Sequence, residues 1–183
     1  MIRKFSLLLL LVGLFSCQED PYKVDLENVK HVVRYHNLDS AFRYAHSNQQ
    51  LKLITELLKE DFDLSQFCFP YALQVSTKTD SAFLNGLQRT YAHPFNQKVS
   101  QALDQRSKWR YTTFERIEAG LKRLHYLAPK TPVAKDVYFT YTQFAASAYA
   151  SPKAIVLGQE RYLGPTHGVI ASLPAQQFYG WIK

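Results

Sequence analysis

Residues 133–144 read Val133-Ala-Lys-Asp136-Val137-Tyr-Phe139-Thr-Tyr141-Thr-Gln-Phe144, and after Ser151-Pro152 comes Ala154-Ile155-Val156-Leu157. Val137, Phe139 and Tyr141 alternate with polar or smaller residues, which is the period-two pattern of a strand rich in β-branched and aromatic side chains. Ala154–Leu157 is a short continuous apolar run, the mark of a strand covered on both faces. Ser151-Pro152 turns the chain between them. Two prolines, Pro129 and Pro132, separate this region from a long stretch of helical periodicity. The sequence therefore predicts an α+β fold, with a helical N-terminal half packed on a small β-sheet.

Working back from Pro129, Phe114, Ile117, Leu121, Leu124 and Leu127 form an apolar stripe at helical spacing. Thr112 and Glu115 have the spacing of a capping box, and Glu118 and Lys122 that of a favourable i,i+4 pair. This predicts a helix from Thr112 to Pro129. Pro94 begins another, with Phe95, Val99 and Leu103 on one face. Thr79 or Asp80 starts one that carries Phe83, Leu84, Leu87 and Tyr91. Residues 48–60 form one more through Leu51, Ile54, Leu57 and Leu58. Asp39 or Ser40 caps a short helix with Phe42, Tyr44 and Ala45, and Val29–Tyr35 reads as a short strand. Phe67-Cys68-Phe69-Pro70-Tyr71 interrupts the helical pattern, because a residue before proline favours extended backbone.

The N-terminus has a different texture. Arg3 and Lys4 precede the eleven residues Phe5–Phe15, too short an apolar run to span a membrane and suited to a signal-peptide core. It ends in Leu14-Phe15-Ser16-Cys17, which resembles a bacterial lipobox. There the Cys17 thiol takes a diacylglyceryl group and the chain is cut just before it. Residues 1–16 are thus expected to be a leader and residues 17–28 a lipid-anchored tether. Residues 29–183 are expected to form a single α+β domain. Glu19 and Asp20 resemble the acidic surface-export signal of Bacteroidetes lipoproteins. The 183 residues carry a formal charge of +7, which falls to +5 without Arg3 and Lys4. That modest, dispersed excess does not argue for nucleic acid. With Cys17 acylated, Cys68 has no partner for an intramolecular disulfide.

No HExxH, CxxC, Walker A or GxSxG motif occurs. His31 and His36 are five apart, not the i,i+4 of a helical zinc pair. Each of the six histidines is read as structural. Cys68 sits between two phenylalanines, a setting that raises a thiol pKa and makes it inert. Glu56, Glu60, Asp61 and Asp63 read as a solvated helix end. Arg106, Lys108, Arg110, Arg116, Lys122 and Arg123, interleaved with Trp109 and Tyr111, read as a solvated face or a partner contact. The twelve Tyr and twelve Phe are mostly core, with an exposed subset able to form an interface.

Ala154-Ile-Val-Leu-Gly158-Gln-Glu160-Arg-Tyr162-Leu163-Gly164 resembles the "LGLDxYLG" signature of the gliding motility lipoprotein family GldB of the Bacteroidetes. Residues Leu124–Val133 are similar to its "YYFPxxxxPxV" passage, and Leu173-Pro174 with Phe178-Tyr179 to its "P-x-Y" helix start. The chain departs where the family's central Asp is Glu160-Arg161 and where its Phe-Pro is Ala128-Pro129. The resemblance implies a lipid-anchored envelope protein of the outer membrane. It would bind the envelope proteins of a gliding or secretion apparatus, with no cofactor and no catalytic residue in this chain. It also implies a longer domain than these residues hold. The helix, strand, strand order resembles, more weakly, the opening half of zinc metallopeptidase (zincin-like) folds, whose metal-binding helix would lie beyond Lys183. A truncated hydrolase of that type, and a surface lipoprotein binding a nutrient or cell-wall component, are the alternatives. In the motif itself, Gly158 and Gly164 are expected to permit sharp turns or positive φ, and Tyr162 and Leu163 to pack between them. Gly164-Pro165 is expected to end the strand.

Overall fold

The strand at Asp136–Thr140 is buried along its whole length, because both its edges and both its faces are occupied. A computed structural model of the chain describes residues 24–173. Within them a four-stranded mixed sheet has the order β1-β2-β4-β3, formed by β1 (Arg34–Asn37), β2 (Asp136–Thr140), β3 (Ala148–Ala150) and β4 (Ala154–Gly158). β1, β2 and β4 run parallel, with Tyr35 opposite Val137 and Val137 opposite Ile155, and β3 closes the sheet antiparallel to β4.

The alternation along β2 and β4 divides their side chains between two cores. Tyr138, Ala154 and Val156 face a large cluster with Leu38, Phe42, Leu57, Phe69, Phe83 and Leu103. Those residues come from α1 (Leu38–Tyr44), α2 (Ser47–Glu60), the segment through Phe69, α4 (Asp80–Ala92) and α5 (Pro94–Asp104). Val137, Phe139 and Leu157 face a smaller cluster with Leu121, backed by Trp109, Phe114 and Ile117 of α6 (Ser107–Leu127). The α+β expectation holds, with one refinement: the long helix covers the face of the sheet opposite to the other helices.

Several boundaries differ from the sequence reading. β1 begins at Arg34, where its amide first meets the Lys135 carbonyl at 2.7 Å, and Val29–Val33 lead into it unpaired. Asn37, not Asp39 or Ser40, caps α1, its side chain accepting the Ser40 amide at 3.2 Å. Asp39 is instead buried. α6 starts at Ser107, so Thr112 and Glu115 lie inside it and cap nothing. The Glu118–Lys122 pair forms, at 2.9 Å. The buried stripe stops at Leu121, whereas Leu124 and Leu127 are about half exposed.

The Phe67–Tyr71 interruption is not extended. A short α3 (Phe62–Gln66) continues into a π-helical turn over Phe67–Leu73. The wider turn accommodates Pro70, which lacks the amide an α-helix would require. The turn ends at Gln74 in left-handed backbone, φ 54°. Helices α4 and α5 have the expected starts, with Thr79 accepting the Ala82 amide and Pro94 in the first turn. The last described helical turn, α7, spans Gly168–Ala171. The 1–16 leader, Cys17, Pro174 and Phe178-Tyr179 lie outside the described residues.

Candidate functional site

Beyond Gly158 the chain turns at once into a 3-10 helix, Gln159–Tyr162, so the strand ends six residues before Gly164-Pro165. The turn carries Gln159 and Glu160 inward beneath the carboxyl ends of the parallel strands, and both are fully buried. That edge is where open α/β sheets place ligands. Here it is filled by the motif's own side chains.

Glu160 is the centre of the arrangement. Its Oε1 accepts the Thr142 amide at 3.0 Å, the Phe144 amide at 2.9 Å and the Thr142 hydroxyl. Its Oε2 is buried and has no hydrogen-bond partner among the described residues. Burial pushes the carboxyl up to about 7, against the pull of those three bonds. The loop it holds contains two consecutive residues in left-handed backbone, Gln143 (φ 51°) and Phe144 (φ 64°). The Gln143 side chain donates to the Leu73 carbonyl at 2.7 Å, tying this loop to the end of the π-helical turn.

Gly158 lets the loop close over the strand. A Cβ there would stand 2.1 Å from the Ala146 carbonyl oxygen and 2.7 Å from Thr142 Oγ1. Its φ is −77°, so close approach explains this glycine and positive φ does not. Gly164 does take positive φ, 91°, as expected. Tyr162 leans on Trp109 with ring centroids 5.4 Å apart, and Leu163 packs against the larger core. The motif is thus a strap from β4 to the first turn of α6.

That first turn supplies residues the sequence reading placed on a solvated face or at a partner contact. Arg110 is buried and donates to the Leu103 carbonyl at 2.6 Å and to Gln159 Oε1 at 3.2 Å. Arg106 lies over the Trp109 ring at 4.6 Å and donates to the Tyr162 carbonyl. The missed signal is spacing: Arg110, Phe114, Ile117 and Leu121 share one helical face. Thr142 had no signal of its own, since its role comes from a partner eighteen residues away.

The other candidates are placed as follows. Cys68 is buried, and burial raises its thiol to about 12, as expected for an inert cysteine. Asp61 caps α3 through the Leu64 amide at 3.0 Å and accepts the Ser151 hydroxyl at 2.7 Å, so it is less solvated than the sequence reading made it. His31 is buried against the Ala134 carbonyl at 3.0 Å and stacks on His125 at 4.8 Å. His36 meets Asp136 at 2.7 Å, a contact no local spacing announces. No group of three or more His, Cys, Asp or Glu side chains able to hold a metal ion is gathered among the described residues.

No curated protein and no solved structure matches the chain. One family model does, the gliding motility protein GldB, over residues 19–183, which takes in every helix and strand described above and the whole of the strap from Gly158 to Gly164. The chain belongs to the GldB family of gliding motility lipoproteins.

Proposed function

We propose that this protein is anchored by lipid at Cys17 to the outer membrane and supports gliding and its associated secretion by binding partner proteins, not by catalysis. The observation that carries this reading is the family match over residues 19–183. The Leu14-Phe15-Ser16-Cys17 block agrees with it.

The surface supports protein contact. Among the described residues, six of the ten exposed large apolar side chains, Val32, Tyr35, Tyr111, Leu124, Tyr126 and Leu127, belong to α6 or to the segment running beside it. Tyrosines of this kind are favoured as anchors in protein interfaces. The motif residues support it in another way: Glu160, Leu163 and Gly158 serve to hold the strap and its loop. No helix among the described residues is long and apolar enough to cross a membrane.

Deleting the gene tests the function, with complementation by the full chain and by a Cys17→Ala variant. Loss of surface spreading and secretion, restored by the full chain only, is expected. Unchanged spreading and secretion on deletion would overturn the role. A Cys17→Ala protein that still fractionates with membranes would overturn the anchor.

A further inference from the structure

At the opposite end of the sheet, where the parallel strands begin, lies a cleft of about 690 Å³. Its walls come from separate parts of the chain: the start of β1, the α2–α3 junction, the loop after α6, the start of β2 and the β3–β4 turn. A volume of this size is in the range of small-molecule sites.

Four cationic side chains line it, Arg34, Lys59, Lys135 and Lys153, against three carboxylates. Two of those carboxylates are already engaged. Asp136 accepts Arg34 through both oxygens at 2.7 Å and meets His36 as well. Asp61 is held by the Leu64 amide and the Ser151 hydroxyl. Lys153 is fixed at the rim by donating to the Glu60 backbone carbonyl at 2.6 Å and makes no ion pair among the described residues, although the Glu60 carboxylate lines the same cleft. Lys59 and Lys135 are exposed, and their ammonium groups have no partner among the described residues. Between these cations, Pro132, Val133, Pro152 and Ala154 supply an apolar wall.

We propose that this cleft binds an organic phosphate, with the phosphate head held by Lys59, Lys135 and Lys153 and an apolar body on the proline and valine wall. Lysine suits such a head as a compact charge with several donors. The apolar wall requires more of the ligand than charge alone. The site is separate from the strap and does not depend on the anchor at Cys17.

Calorimetric titration of the purified full chain in a non-ionic detergent tests it, with hexyl phosphate and dihexanoylphosphatidylglycerol as probes and 1-hexanol as the uncharged control. Saturable one-to-one binding of at least one phosphate probe is expected, with none of hexanol. A Lys59→Glu/Lys135→Glu chain with unchanged thermal unfolding should bind roughly tenfold or more weakly. A preference for the lipid probe assigns the head to a membrane lipid, and a preference for hexyl phosphate assigns it to a soluble metabolite. Failure of both phosphates to bind, equal binding of hexanol, or undiminished binding by the double variant would overturn the proposal.

Discussion

Glu160 and Thr142 are joined twice, the carboxylate accepting both the Thr142 amide at 3.0 Å and its hydroxyl. A third bond, from the Phe144 amide, completes the clamp on a loop whose residues 143 and 144 stand in left-handed backbone. That conformation costs roughly 1–2 kcal/mol per residue and needs an external hold. Replacing Glu160 by Ala leaves buried donors without an acceptor, each costing about 1–3 kcal/mol. Glu160→Ala is therefore expected to lose about 3 kcal/mol or more in denaturant unfolding, while Glu160→Gln, which keeps an acceptor of the same reach, retains most of the stability.

The same carboxyl sets a pH dependence. Burial raises it from 4.5 to about 7, so the folded protein keeps a proton that the unfolded chain has released. Its contribution to stability is fully present below pH 4.5 and is lost as pH rises through 7. The size is on the order of 3 kcal/mol for a shift of this kind. A Glu160→Gln chain has no such titration. The gap between the two unfolding free energies should thus move in favour of Gln from pH 4.5 to pH 7 and stay level outside that window. Parallel stability curves for the two chains across it would contradict the buried-acid assignment.

Glycines separate tight from open places in the fold. At Gly158 an added Cβ would meet the Ala146 carbonyl at 2.1 Å, and that oxygen is backbone that cannot swing aside. Gly158→Ala is expected to cost about 3 kcal/mol or more, in the class of overpacked or strained sites. Gly120 is exposed within α6, and nothing lies within 4 Å of its added Cβ. Gly120→Ala should stabilise the protein by about 0.5–1 kcal/mol through helix propensity. Thermal unfolding of the two variants checks both signs at once.

Much of this architecture was legible in the sequence wherever the information is local. The starts at Thr79 and Pro94, the apolar run Ala154–Leu157 and the positive φ of Gly164 all depend on neighbours a few residues away. What the sequence concealed depends on partners far along the chain. Arg110 looked like one more cation in a basic stretch because Leu103 and Gln159, which bury it, come from other elements. Thr112-x-x-Glu115 resembled a cap because the i,i+3 spacing of a capping box also occurs in the middle of any helix. The alternation in β2 announced a strand but not its burial on both faces, which comes from α6, a separate element, covering the second face.

Arg43 is half-buried and holds the buried carboxylate of Asp39. Its guanidinium meets Asp39 at 2.9 Å within α1 and Asp104 of α5 at 2.6 Å, so it bridges two helices. Asp39 is 1% exposed, and burial raises its carboxyl although Arg43 works against the shift. Its Oδ1 is buried and has no hydrogen-bond partner among the described residues. Removing the cation leaves this carboxylate buried with no opposite charge, a change that typically costs about 3–5 kcal/mol. Arg43→Met is expected to lose about that much in equilibrium unfolding. An Asp39→Asn change made together with it removes the stranded charge, so the double variant should be more stable than Arg43→Met alone. A double-mutant cycle measures this directly, and strictly additive losses would show that Arg43 and Asp39 do not stabilise one another within α1.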